Sequence, residues 1–320
     1  MESIENQTFF MTGGAGFIGS NFAERLLKMG AKVIAYDNLS TGREEYIKPL
    51  VGNRNFEFVK GDTLDRDALA KAMKGKGITT VVHLAANGDI QKGTNDTSLD
   101  LHQGTIAAYN VLDECRKNDI KNFVFSSSSV VYGLAKVKPT AEDYPSRPIS
   151  LYGAAKAAAE VEIMAFSSLF GMNYYIFRYA NIIGRNQSRG VTPDLIKKLK
   201  ASGNKEFEVL GDGTQRKSYL NVNDCIDGML LIITKSKESE NIYNLGNEDL
   251  ISVKEIAELI AAKVAPDALI KYTGTKGGWK GDIAETSISI EKIKKMGFKP
   301  SMNSKKAVET SINGIVTGKW

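Results

Sequence analysis

The stretch "TFFMTGGAGFIGSNFAERLL" (residues 8–27) ties the chain to one kind of folding unit. It reads in order as an apolar strand, a tight turn and an amphipathic helix. Gly13, Gly16 and Gly19 are spaced G-x-x-G-x-x-G, and Gly14, Gly16 and Gly19 also fit G-x-G-x-x-G. Such a turn must accept positive φ and pack its helix close to its strand. It must also let backbone approach an anion without a Cβ between them. The helix N-terminus then offers its unpaired N–H groups to a pyrophosphate. The next strand, "KVIAYD", closes on Asp37, where a carboxylate accepts both ribose hydroxyls and repels a 2′-phosphate. The unit therefore predicts a dinucleotide, NAD rather than NADP, against the alternative of a structural turn with a surface aspartate. Arg43 lies near Asp37 without directly following it and changes that preference little.

The rhythm set by this unit continues. Short apolar runs at 8–11, 32–37, 56–59, 79–85, 122–127 and 174–179 alternate with helical patterns near 17–29, 65–74, 97–117 and 150–169. Strands apolar on both faces and separated by helices indicate an α/β fold, a doubly wound parallel (Rossmann) sheet covered on both sides. We expect this domain over 1–179, with 219–247 returning to it, and a smaller α+β substrate-binding region over 180–320 at the carboxyl edge of the sheet, where such sheets bind ligands. Within that region "SVKE" (252–255) is a capping box opening a helix. Two more strand ends fit a dinucleotide site. "KGDTLD" places Asp62 where a carboxylate could accept from an adenine amino group, and "HLAA" (83–86) sets small residues beside the nicotinamide half. His83 reads as a core histidine.

Composition narrows the function. A net charge of +5 comes from scattered lysines with no arginine–aromatic block, which argues against nucleic acid. "GMLLIIT" (228–234) is too short to span a bilayer, and "MESIENQTFF" is unlike a secretory signal. Cys115 and Cys225 form no disulfide framework and no metal-ligand spacing with His83 and His102, so they read as small apolar residues. The expectation is a cytoplasmic, metal-free enzyme or binding protein.

"ISLYGAAKAAAE" (149–160) puts Tyr152 and Lys156 on one face of a helix, one turn apart. Taken alone, Tyr152 reads rather as an amphipathic tyrosine half-buried on a helix. Beside a dinucleotide it becomes a phenol next to an ammonium. The usual phenol is a poor base at neutral pH, whereas neighbouring cations favour the phenolate.

"TGGAGFIG", "YDNLSTG", "HLAA", "FSSSSVVYG", "YGAAK", "FRYANIIG", "GDGTQ" and "YNLG" together resemble the extended short-chain dehydrogenase/reductases of the NAD-dependent epimerase/dehydratase type. Within them the chain is most similar to the nucleotide-sugar 4-epimerases of the UDP-glucose (UDP-galactose) kind, from about residue 8 to 300. The resemblance implies Ser128, Tyr152 and Lys156 as catalytic residues. It implies NAD contacts at Gly13, Gly16, Phe17, Ile18, Gly19, Asp37, Asn38, Ser40, Thr41, Gly42, Asp62, Thr63, Leu84, Ala85, Ala86, Ser126 and Tyr179, besides Tyr152 and Lys156. Substrate contacts would fall on Ser128, Asn181, Arg216, Lys217, Tyr219, Lys280 and Asp282. For Arg216, Lys217 and Lys280, solvated surface charge is an equal alternative. The chain departs from the family's pattern with Lys217–Ser218 for Arg-Asp, Trp279 for an arginine, and Asp100–Leu101 for asparagines.

The implied reaction oxidises C4 of a sugar while Tyr152 takes the hydroxyl proton and Ser128 holds the oxygen. Related dehydratases carry an Asp-Glu pair directly after the catalytic Ser/Thr, and the decarboxylases tend to a glutamate there. Here Ser129 and Val130 occupy those places, which favours simple return of the hydride and 4-epimerisation of a UDP-hexose. A dehydratase or keto-sugar reductase is the alternative, and a non-catalytic NAD-binding sensor is less favoured. The resemblance also implies a homodimer paired through the 97–117 and 150–169 helices.

Overall fold

The computed structural model describes residues 4–274 and 282–320. A seven-stranded sheet contains β1 (Thr8–Thr12), β2 (Lys32–Asp37), β3 (Phe56–Lys60), β4 (Thr80–His83), β5 (Asn122–Ser128) and β6 (Asn173–Tyr179), with Glu240–Leu245 at one edge. From that edge the order runs β6, β5, β4, β1, β2, β3, and the pairs β2–β3, β1–β2, β1–β4 and β4–β5 are parallel. The chain steps outward from β1 to β3 and then crosses to β4 on the other side of β1. That reversal opens a crevice beyond the carboxyl ends of β1 and β4, where a doubly wound sheet takes its ligand.

The chain divides into two compact units. The first comprises residues 1–133, 145–178 and 226–243; the second comprises 134–144, 179–225 and 244–320. The segment 134–144, expected in the first domain, thus groups with the second, and 226–243 stands where 219–247 was expected to return.

The first unit's core is built from the strands' apolar alternation and the helices flanking them. Phe10, Ile34, Val81, Phe123 and Phe125 meet Val111, Leu112 and Ile163, all almost wholly buried. The expected helix near 97–117 is a composite. Leu101–Ile106 forms a π-helical turn that runs into the α-helix Ala107–Lys117. Gly104 lies against Ala155, so close that an added Cβ would stand 2.7 Å from the Ala155 Cβ. Such wide turns interrupt helices mostly at functional sites. Cys115 and Cys225 are both buried. Among the described residues no helix is long and apolar enough to cross a membrane.

The second unit has its own core, in which Leu195, Leu199, Phe207, Val209, Ile256, Ile260 and Ile312 pack together. The capping box is present. Ser252 Oγ accepts from Glu255 N, and the Glu255 carboxylate accepts from Ser252 N, starting the helix Val253–Val264. Replacing Ser252→Ala is expected to lower this unit's stability by about 1 kcal/mol, read as an earlier midpoint in denaturant unfolding.

Candidate active site

The glycine turn has the geometry its spacing requires. Gly13 takes φ +69° and donates its N–H to Tyr36 O at 2.9 Å. A Cβ at Gly13 would sit 2.8 Å from Ala85 N, and one at Gly19 would collide with the Gly13 carbonyl oxygen. These contacts leave the turn no room for side chains and bring the loop after β1 against the loop after β4. The helix α1 (Phe17–Lys28) comes next, with Gly16 as its N-cap and no side chain capping it. The N–H groups of Phe17, Ile18 and Gly19 therefore begin a helix without a side-chain acceptor, a cradle suited to phosphate oxygens.

Asp37 ends β2 and is buried. Its Oδ2 accepts from Ala15 N at 3.0 Å and its Oδ1 from Leu39 N at 2.8 Å. Burial raises the carboxyl above its usual range, and these two N–H groups counter it. Gly42 closes over the carboxylate, where an added Cβ would lie 2.8 Å from either oxygen. Asn38 donates to Asp62 Oδ2 at 2.8 Å, and its own carbonyl oxygen accepts from Ser40 N. Thr41 next to them is exposed, and Thr63 is held through its carbonyl by Asn110. Arg43 lies over the Tyr46 ring. After β4, Leu84 N bonds to Thr12 O, and Leu84, Ala85 and Ala86 are half-buried. His83 is fully buried, paired with Thr12 Oγ1 at 2.7 Å and stacked on Phe125. Burial, then the charge of Lys156, draws it down to about 3, so it is a neutral core residue.

The Tyr–Lys pair is set by a helix cap. Ser150 Oγ accepts from Gly153 N and starts the helix Leu151–Phe170, placing Tyr152 in its first turn and Lys156 one turn on. Ser128 ends β5 and its Oγ accepts from Val130 N, capping the short turn Ser129–Tyr132. Lys156 is 2% exposed and donates to Ser126 O at 2.6 Å; Ser126 Oγ in turn donates to His83 O. The ammonium also lies 4.6 Å from the Phe125 ring centre and 5.8 Å from that of Tyr152.

One expectation is corrected. The Tyr152 phenol is not drawn toward neutrality in the chain alone. Burial, reinforced by the negative charge of Asp100, pushes it up to about 12. Lys156 is the group that moves, drawn down to about 7 by burial against the opposing pull of Glu160 and Asp100. Desolvation disfavours the charged form of each and is the largest influence on both.

Asn87, Glu160 and Arg178 were not anticipated, and Asp100 stood out in the sequence only as a departure from the family's asparagine. Glu160, one turn past Lys156, receives Arg178 through Nη2 at 2.7 Å and Nε at 3.0 Å, and Ser127 Oγ as well. Arg178 also donates to Tyr132 at 3.0 Å. The continued i, i+4 spacing from 152 through 156 to 160 was the available signal for Glu160.

The expected substrate residues fall in the second unit, apart from Ser128. Asn181 donates through Nδ2 to Ser218 O and pairs its strand with Tyr219. Lys217 reaches Asp282 at 2.6 Å, so this cation already has a counter-charge, while Arg216 beside it is exposed. Tyr219 is buried, and burial together with Asp282 keeps its phenol protonated. Tyr179 ends β6 with its hydroxyl bonded to Cys225. Trp279 and Lys280 lie outside the described residues.

A reversed strand order, a bare glycine-lined helix end and a buried acidic strand end define a Rossmann-type dinucleotide protein. The family model described as the NAD dependent epimerase/dehydratase family matches residues 9–246, and the chain belongs to that family. It is 30% identical to a putative UDP-glucose 4-epimerase of Methanocaldococcus jannaschii over 95% of this chain and 96% of that one. It is similar to a UDP-galactose 4-epimerase crystal structure at 33% identity and TM-score 0.87, covering 98% and 100% of the two chains. A Thermotoga maritima UDP-glucose 4-epimerase solved with UDP-glucose gives 27% identity and TM-score 0.88, covering 98% and 99%.

Replacing Arg178→Met would leave the Glu160 charge buried without its cation. We expect a loss of about 3–5 kcal/mol in unfolding free energy. The double variant Glu160→Met/Arg178→Met should recover most of it.

Proposed function

We propose that the chain is an NAD-dependent UDP-hexose 4-epimerase working through a transient 4-keto sugar. The observation carrying this reading lies directly after Ser128: a tight turn of Ser129, buried, and Val130, neither of which can serve as an acid or base. In this reading Ser128 and Tyr152 hold and move one proton of the bound sugar, and the two positions after Ser128 offer no group to remove water across C5–C6 or act on a carboxylate. The names of the relatives at about 30% identity agree with this outcome.

In this reading Ser128 Oγ holds the C4 oxygen, Tyr152 takes its proton, and Lys156 supports the phenolate. NAD supplies the hydride acceptor and donor. The N–H groups at Phe17, Ile18 and Gly19 hold its pyrophosphate, and Asp37 its adenosine ribose. Asn181, Arg216, Lys217, Tyr219 and Asp282 form the nucleotide-sugar site of the second unit. The buried free thiols Cys115 and Cys225 suit a reducing cytoplasm.

Purified protein is expected to interconvert a UDP-hexose and its C4 epimer without lasting accumulation of reduced cofactor. Tyr152→Phe should lower turnover by at least about 100-fold while sparing NAD binding. Failure to equilibrate any of a panel of UDP-sugars, or a stable keto product, would overturn the reading.

We further propose a homodimer formed through the Ala107–Lys117 and Leu151–Phe170 helices. Val161 and Leu169 are 66% and 73% exposed on the second of these, with Phe170 and Tyr109 alongside. Isolated apolar residues are ordinary on a surface, but a cluster on two adjoining helices suits a partner. Val161→Glu combined with Leu169→Glu should turn the dimer into a monomer in sedimentation equilibrium.

A further inference from the structure

Asp100 immediately precedes the π-helical turn Leu101–Ile106, which packs on the helix carrying Tyr152 and Lys156. It is 2% exposed. Asn87, four residues beyond β4, donates to its Oδ1 at 3.0 Å and fastens itself to Asp89 O at 2.8 Å. The other oxygen, Oδ2, is buried and has no hydrogen-bond partner among the described residues. It faces Gly93, where an added Cβ would run into it, so the short helix Ile90–Asn95 is glycine at the point that lets the carboxylate in. An aspartate buried with half its carboxylate unmet is costly, and such a group is retained where its charge is used.

The charges around it show where that use lies. Burial raises the Asp100 carboxyl above its usual range, the Asn87 bond and the Lys156 charge on the Leu151–Phe170 helix pull it back, and Lys156 and Tyr152 both feel its charge. From the loop after β4 come the neutral amide of Asn87 and the carboxylate of Asp89, which accepts from Lys92 N at the start of the short helix. Lys92 of the short helix and His102 of the π-helical turn are exposed. Glu160, the second carboxylate near Lys156, is already matched by Arg178. Asp100 is thus the unmatched negative charge in the neighbourhood of the one buried ammonium.

We infer that Asp100 is a positioning residue for the catalytic pair, a fixed counter-charge that keeps Lys156 an ammonium beside the phenol. This rests on the proposed epimerase reading only for its consequence in turnover. The charge arrangement holds for the free protein. Removing the carboxylate makes the first proton of the coupled Tyr152–Lys156 pair easier to lose, because both groups then shed it away from one negative charge fewer.

The test compares the native protein with Asp100→Asn, which conserves volume, and with Asp100→Ser as a second variant. In protein carrying lysine labelled with carbon-13 at Cε, Lys156 is expected to titrate near neutrality, apart from the surface lysines. Its midpoint should fall by about one pH unit in both variants, with melting temperatures showing that each is folded. The acid limb of the UDP-hexose turnover profile should move down by a similar amount. A midpoint unchanged in both folded variants overturns the inference, as does one that rises. If the midpoint falls but the native protein epimerises no UDP-sugar, the inference stands and the epimerase reading fails. If neither variant folds, Asn87→Ala, which releases the carboxylate from its anchor, must change the Lys156 midpoint, and an unchanged value there counts against the inference.

Discussion

A single ammonium held out of water organises the first unit. Lys156 bonds to Ser126 O at 2.6 Å, and that bond fixes the Leu151–Phe170 helix against the end of β5. Burial of a cation is tolerated only where opposite charge and acceptors converge on it. Here they converge from several places: the Ser126 carbonyl, the face of Phe125, Glu160 on its own helix, and Asp100 ahead of the π-helical turn. Glu160 would itself be intolerable without Arg178, and Arg178 links it onward to Tyr132. One buried charge thus requires a chain of others, and that chain runs along the carboxyl ends of β5 and β6.

The same low-dielectric setting explains why the phenol and the ammonium move in opposite directions. Each is pushed toward its neutral form, Tyr152 up to about 12 and Lys156 down to about 7. In the chain alone the pair is therefore not active: the phenol stays protonated at neutral pH, while Lys156 lies near its midpoint. Activation must come with ligand binding, as further positive charge beside the phenol favours the phenolate.

How much of this was legible in the sequence depends on the range of the interactions. The glycine turn, the strand ending in Asp37, the Ser252–Glu255 box and the Tyr152–Lys156 spacing are local, and each shows in a few adjacent residues. What escaped was set by distance along the chain. Asn87 meets Asp100 across the short helix Ile90–Asn95, Arg178 of β6 meets Glu160 of a helix, and Lys217 meets Asp282 65 residues on. The π-helical turn at Leu101–Ile106 left no trace in apolar periodicity, because it shifts register inside a helix already recognised as one. The phenol's displacement was misjudged for a related reason. Spacing reveals a neighbouring cation, but it does not reveal how much solvent the pair has lost.

Asp37 shows a different economy. Its two oxygens accept from Ala15 N and Leu39 N, so the carboxylate proposed to meet a ribose also holds the glycine turn and the loop after β2. Leu39 takes φ +61°, an uncommon conformation for a branched apolar residue, and the bond to Asp37 Oδ1 offsets its strain. Gly42 is glycine because the carboxylate occupies the space a Cβ would need. A residue chosen to admit a 2′-phosphate would need to be smaller or positively charged, and either change would release both N–H groups at once. The choice of dinucleotide is therefore not an independent decoration on the fold. The interaction proposed to exclude the extra phosphate is the one that shapes the turn proposed to receive the other two.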